Sequence, residues 1–494
     1  MPTRRPVQVE DVLELTLIRQ TWDDYGFRTS FELWSVNPDP PVFLGTVKIG
    51  REGMDGSFGG PIARTPLEDS FPDLDERYMS LGQDASYYER IFEQLGAEDG
   101  RAVLSALQDL TLDLDRLQRS GFEFERVLRK SIMRVVKWTT VQDQYRRIVL
   151  GGMPREAFTL TYSHEPDRGA ESPTTTFDVS PGDTVPGTLQ VVIGSNGAGK
   201  TRMLKNISRA LDPATETNPS HVHVSDGKRL SGLVTVSFSA FDIFPPRDEP
   251  ADEFSPFQIK HLGLSVLSRE EGGSSRERDG AAQVAAFHDL VGACESAGRS
   301  DRLLKAVSTL CEADLILGEY DLNSVASLMT LGFEELSSGH KIVLLTAAGL
   351  VKNCDEATLI LLDEPESHLH PPLLSAFMRA VGDLVAETNS LAIVATHSPV
   401  VLQQVPRRHA RKIWRRGIRT QFLPMSIETF GENLGTLSRE VFGVELERSG
   451  HYALLLRAVD QGNYDEAVGA LGGSIGEEAK MILRALLAER AEVF

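Results

Sequence analysis

The stretch that most constrains this chain is VVIGSNGAGKT, residues 191–201. It places Gly194, Gly199, Lys200 and Thr201 on a G-x-x-x-x-G-K-[ST] frame directly after the apolar, β-rich run LQVVIG, and the helical pattern RMLKNISRAL follows. A strand opening through glycines into a helix turns successive backbone N–H groups, and the positive end of the helix, toward one point. That geometry cradles an anion such as a β-phosphate. The cradle comprises Gly194, Ser195, Asn196, Gly197, Ala198, Gly199, Lys200, Thr201 and Arg202. Lys200 would bridge the β- and γ-phosphates, and the Thr201 hydroxyl would ligate Mg²⁺.

Two further apolar runs end in groups that suit such a site. ATLILLDEPESHLHP carries β-compatible residues from Thr358 to Leu362 into Asp363 and Glu364. A buried strand ending in two carboxylates can hold one near Mg²⁺ and leave the other to polarise a water. Asp363 is therefore the expected metal-associated residue and Glu364 the expected general base. SLAIVATHSP ends in His397. In open α/β sheets, groups that contact ligand gather beyond the carboxyl ends of strands, so His397 joins Glu364 and Lys200 as a candidate catalytic residue. His368 and His370 share an H-x-H spacing, but no third ligand lies near them in sequence, and no zinc is expected.

LGFEELSSGHKIVLLTAAGL, residues 331–350, reads locally as a capped helix. Taken with the other segments it reads differently. GSNGAGKT, LSSGH, LILLDEP, SHLHP and ATHSP resemble, in order, the Walker A, signature, Walker B, D-loop and H-loop motifs of ATP-binding-cassette (ABC) ATPases. The resemblance covers about residues 189–405. It implies that Ser337 and Gly339 bind the γ-phosphate of ATP held by an opposite subunit, so that two copies, or a higher homo-oligomer, share their ATP sites. Ser338 and His340 stand where the usual signature has glycine and, often, glutamine.

ESHLHP and ATHSP look more like the SMC-like group, with its RecF-type and OLD-type members and the ATPase subunits of Septu-like anti-phage systems, than like transporter subunits. About 190 residues precede the glycine loop, and no heptad insertion divides Walker A from the signature. After His397 no glycine-flanked glutamate or D-x-D pair of a Toprim nuclease appears. The resemblance thus implies an ATP-driven dimerisation switch, in phage defence or DNA repair, acting on a soluble nuclease-like effector or on DNA or RNA. A transporter motor subunit is the alternative. The Q-loop has no clear counterpart; Gln258, Ser239 and Asp242 are candidates.

The net charge of −20 argues against a surface that is basic throughout. Nucleic acid would need a local patch, and two groups qualify. PRRHARKIWRRGIRT holds seven Lys/Arg between Arg407 and Arg419, and Arg126, Arg129, Lys130, Arg134 and Lys137 fall on an expected helix. Three cysteines without a CxxC pair, no signal-peptide pattern and no membrane-length apolar run point to the cytoplasm.

Periodicity divides the chain into residues 1–83 (the first part of a β-lobe), 84–148 (a helical insertion), 149–430 (the ATPase core) and 431–494 (a helical tail packed on the head). The expected fold is an α/β ABC-type head: a mixed sheet flanked by helices, with an antiparallel lobe built from 27–50 and about 156–193.

Overall fold

The computed structural model describes residues 4–493 except 10–12, 37–39, 57–60, 118–121, 123–124, 152–156, 166–171, 181–186, 214, 216–218, 226–228, 239–256, 264–279, 418 and 447–449. Its central sheet has seven strands in the spatial order Gln258–Gly263, Gly232–Ser237, Thr358–Asp363, Leu391–Thr396, Leu189–Ile193, Ala410–Arg416 and Arg419–Pro424. All are parallel except the last, which closes a hairpin.

The run TLILLD is buried at every position because both faces of its strand are covered. Ile360 and Leu362 pack under the helices Gly280–Ser296, Ser300–Ala313, Ser338–Asn353 and Pro371–Glu387. Leu359 and Leu361 face the opposite way, toward Met203, Leu204 and Ile207 of the helix Lys200–Leu211 and a three-stranded antiparallel sheet. Register then aligns the strand ends: Ile193 lies beside Thr396, and Asp363 beside Ala395 and Ser237. This is the ABC-type α/β head that the motifs implied.

The antiparallel lobe is the sheet of Phe158–His164, Thr174–Val179 and Ser220–Val224. The strands expected at 27–50 do not join it. Ser30–Ser35 and Val42–Arg51 belong to a separate five-stranded sheet with Arg4–Val9, Leu13–Arg19 and Tyr78–Gly82. Alternation marks a half-buried strand but carries no information about which strand lies beside it. Residues 84–148 contain helices and no strand element among the described residues, and the helix Ala85–Ala106 packs on the five-stranded sheet in one core. At the other end, Gly450–Val459, Tyr464–Ala470 and Glu477–Val493 pack mainly on one another around Leu455, Ala467 and Leu483. Of the tail, Leu434–Leu446 packs on the head through Leu437 and Val441, as expected, whereas the three later helices, expected there too, form a small core of their own.

Buried charges join the N-terminal residues to the head. Asp84, which caps Ala85–Ala106, pairs with Arg302 at 3.0 Å, and Arg302 also meets Glu387 at 2.8 Å. Lys137 and Arg299 both reach Asp355, and Arg147 reaches Glu356, just before the strand Thr358–Asp363. Of the second basic group, Lys137 is engaged in this way; Arg134 pairs with buried Asp24 inside the N-terminal part, and exposed Lys130 lies over the Tyr25 ring.

Asp109 shows a cost inside the N-terminal core. Burial pushes its carboxyl up to about 6, although Thr111 and Tyr88 donate to it. A raised carboxyl favours the folded state while protonated, so this contribution is complete below about pH 4 and lost as pH rises through about 6. Asp109→Asn is expected to be more stable than the parent at pH 7.5 by up to about 3 kcal/mol, with about half of that gain left at pH 5. Thermal midpoints of both proteins at the two pH values measure this.

Candidate functional site

The glycine loop is shaped by contact and by backbone sign. A Cβ on Gly194 would lie 2.5 Å from the carbonyl oxygen of Ile413, so only glycine lets the loop pass that strand. Gly197 and Gly199 hold φ of 77° and 106°, where other residues are strained. Lys200 is buried and lies back across its own loop, donating to the carbonyls of Gly194 (2.9 Å) and Ser195 (3.2 Å). Burial lowers its pKa, against the opposing pull of Glu364, Glu366 and Asp363.

Thr201 Oγ1 donates to Asp363 Oδ1 at 3.1 Å. A hydroxyl and a buried carboxylate this close are hard oxygen donors that suit Mg²⁺, which takes one or two protein oxygens and completes its shell with phosphate and water. Arg202 lies beside Thr201 and, with His164, Lys205, Arg209 and Pro219, lines a cleft of about 450 Å³.

Glu364 sits in the left-handed region (φ 49°, ψ 56°), an uncommon conformation for a non-glycine residue. Its N–H donates to Ala395 O at 2.9 Å, and Pro365 opens the short helix that follows. This turn brings the Glu364 carboxylate within 3.5 Å of His397 Nδ1. Sequence reasoning missed Glu366. Its Oε1 accepts from the His397 N–H (2.7 Å) and Thr396 Oγ1 (2.7 Å), and lies 3.2 Å from His397 Nδ1. The E-P-E spacing was the available sign: a second carboxylate returns to the same strand end one short turn later.

Lys200, Thr201, Asp363, Glu364 and His397 thus meet at one edge of the sheet. Ser337 and Gly339 do not bond to them among the described residues. Ser337 is exposed and caps the helix Ser338–Asn353, and among the described residues its side chain bonds only to His340. A Cβ on Gly339 would lie 2.8 Å from His368 O, so the glycine lets this helix meet the DEPES turn of its own chain. Gln258 is not a Q-loop residue. It pairs with Gly232, which pairs with Thr358, at the opposite ends of the parallel strands from Asp363. Ser239 and Asp242 lie outside the described residues. His370 does enter a cluster, with Asp314 and His340, both distant in sequence; His368 does not. Of the arginine-rich stretch, Arg407 and Arg408 lie in a short turn of helix, and Arg411, Lys412, Arg415, Arg416 and Arg419 on the edge hairpin beside the strand Leu189–Ile193, where Arg415, Arg416 and Arg419 are exposed.

A family profile described as "AAA domain, putative AbiEii toxin, Type IV TA system" matches residues 327–403, which contain Ser337, Gly339, Asp363, Glu364 and His397. Protein ea59 of Escherichia phage lambda is 33% identical over 516 aligned positions, covering 95% of this chain and 94% of the relative. The chain belongs to the ea59 family. Among solved structures, the SMC head domain from Thermotoga maritima is similar at 12% identity and a TM-score of 0.30, covering 55% of this chain and 99% of that one. UvrA2 from Deinococcus radiodurans is similar at 17% identity and a TM-score of 0.29, covering 55% and 38%. The ea59-family chain described here carries its GSNGAGKT, LSSGH, LILLDEP and ATHSP segments on the α/β head described above.

Proposed function

We propose that this chain binds ATP with Mg²⁺ and hydrolyses it, and that two copies close on the shared nucleotides as a switch. Residues 149–430 act as the ATPase core. The observation that carries this reading is the convergence of Lys200, the Thr201–Asp363 pair and the Glu364–His397 pair at the carboxyl edge of one sheet. The loop from Gly194 to Arg202 holds the phosphates, with Lys200 turning from its loop carbonyls to the β- and γ-oxygens. Thr201 and Asp363 would hold Mg²⁺, which would supply charge neutralisation of the phosphates. Glu364 takes a proton from the attacking water, and His397 orients that water and the γ-phosphate. Ser337 and Gly339 complete the site of the opposite copy.

The switch would act in the cytoplasm on a soluble, nuclease-like effector or on nucleic acid, in phage defence, as in Septu-like systems, or in DNA repair. No helix among the described residues is long and apolar enough to cross a membrane. The experiment is phosphate release from ATP by the full chain, with Mg²⁺ and with chelator, beside sedimentation with and without ATP. Mg²⁺-dependent turnover and an ATP-dependent increase in mass are expected. Asp363→Asn should abolish turnover, because it removes a charged oxygen ligand. Absence of ATP binding would overturn the reading.

A further inference from the structure

Outside the nucleotide constellation, two imidazoles and a carboxylate from three separate elements meet at one point. Asp314 follows the helix Ser300–Ala313, His340 lies in the first turn of Ser338–Asn353, and His370 caps Pro371–Glu387. Asp314 Oδ2 is 3.1 Å from Nε2 of His340 and 3.0 Å from Nε2 of His370, and one donor atom from each residue lies within 4.8 Å of the others. The sequence pairs His370 with His368 by spacing; the fold pairs it instead with two residues far along the chain, and His368 stays out.

The bonds around these groups are arranged as an outer shell. Both rings turn Nε2 to the same carboxylate oxygen, because the other oxygen, Oδ1, accepts the N–H groups of Ile316 (3.0 Å) and Leu317 (2.9 Å). Two backbone donors thus fix the carboxylate and leave Oδ2 to the imidazoles. A ligating carboxylate is ordinarily held by such bonds, and a ligating imidazole has a partner at its second nitrogen. His340 has that partner, since its Nδ1 stands 3.0 Å from Ser337 Oγ. The contact at His370 Nδ1, with the Leu373 N–H, is 3.4 Å, beyond the ordinary range of a hydrogen bond, so little holds that ring against a small turn.

Burial and spacing suit an ion as well. The side chains of Asp314 and His340 are each 4% exposed, whereas His370 is 53% exposed. Two donors are therefore fixed in the packing, and the third faces solvent, where water can complete a coordination shell. With bonds of about 2.1 Å, ligands at right angles stand about 3.0 Å apart, and tetrahedral ligands about 3.4 Å. The spacings of 3.0 and 3.1 Å match the right-angled pair, and a small turn of the His370 ring reaches the tetrahedral one. Two imidazoles with one carboxylate select a first-row transition dication, because Mg²⁺ and Ca²⁺ take oxygen ligands. Cys311, three residues before Asp314, does not join the group.

We propose that Asp314, His340 and His370 form a binding site for one first-row transition dication, of which Zn²⁺ is the representative, with water on the His370 side. The ion fastens the first turn of Ser338–Asn353 to the start of Pro371–Glu387 and to the segment that follows Ser300–Ala313. Gly339, in that same first turn, already lies against the carbonyl of His368, so the ion reinforces a joint that the fold makes by packing. The site stands apart from the reading of the glycine loop: it needs no nucleotide and no second copy of the chain.

The test titrates Zn²⁺ into the full chain, stripped of metal by chelator and dialysed, without nucleotide and with millimolar Mg²⁺ present to occupy oxygen sites. Three proteins are compared by calorimetry. His370→Asn removes the ligand but keeps a residue that caps helices well, so the fold is preserved. His368→Asn changes the neighbouring histidine, which lies outside the group. The parent and His368→Asn should take up about one Zn²⁺ per chain at this site. His370→Asn should bind that ion at least about 100-fold more weakly, since loss of an outer-shell partner alone costs about 10–100-fold. Zn²⁺ should also raise the thermal midpoint of the first two proteins and leave that of His370→Asn unmoved, because only an ion bound to the folded chain stabilises it. No saturable uptake by the parent overturns the site, as do uptake that His370→Asn leaves unchanged and an equal loss in His368→Asn. The three residues are then a hydrogen-bonded cluster that joins the same elements without an ion.

Discussion

Glu364→Gln is expected to keep ATP bound while turnover falls by roughly 10²–10⁴, the usual loss when a general base is removed. The positive φ at Glu364 and the Glu364 N–H bond to Ala395 hold the carboxylate beside His397, and neither depends on its charge. An amide should therefore occupy the same place and fail only at proton transfer. Glu366 provides the internal comparison. It lies closer to His397, but its Oε1 is occupied by two donors, a role that a glutamine oxygen can fill. Phosphate release by Glu366→Gln should thus exceed that of Glu364→Gln. The reverse order would move the base to Glu366. Lys200→Ala should act earlier, weakening nucleotide binding itself by removing the cation from the β- and γ-phosphates.

Ser337→Arg is expected to retain nucleotide on its own glycine loop and lose hydrolysis and closure entirely. Within its own chain Ser337 bonds only to His340 among the described residues, and its hydroxyl stands exposed at a helix N-terminus. Two-fold symmetry turns that exposed end toward the glycine loop of the other copy. ATP favours the closed pair only by binding it more tightly than the open one, and a bulky cation in the joint removes that difference. Mixed with Lys200→Ala protein, Ser337→Arg should recover about one working site per heterodimer, because each supplies the half that the other lacks. No recovery in heterodimers shown to form would mean that the sites are not shared in this way or cannot fire alone. Normal hydrolysis by Ser337→Arg alone would reduce Ser337 to a helix cap.

The sequence made the parts of the site legible where chemistry and chain order coincide. Lys200 and Thr201 follow their glycines directly, and Asp363 and Glu364 end the strand that carries them, so local pattern places them. Asp314, His340 and His370 lie 26 and 56 residues apart along the chain and meet only because two helices and a turn pack together. The H-x-H spacing drew attention to His368, which takes no part, and hid the role of His370. Gln258 was read by residue type, whereas strand direction decides which end of a sheet a residue occupies. The hairpin at 27–50 failed for a related reason: alternation is a property of one strand, and sheet membership a property of a pair.

The pairs between the N-terminal residues and the head determine where this chain can be divided. A cut near residue 150 looks natural from the change in pattern, yet it would strip Glu356 of Arg147, Asp355 of Lys137 and Arg302 of Asp84. Asp355 keeps Arg299 and Arg302 keeps Glu387, so each of these buried charges is left with one partner fewer, and one domain has only about 5–15 kcal/mol of stability in all to absorb such losses. Asp355 and Glu356 sit at the root of the strand whose tip holds Asp363, with only six residues of rigid backbone between. The first 150 residues are thus a foundation of the nucleotide site rather than an appendage to it, and a head expressed without them would carry its damage straight to the end of the strand where the chemistry is done.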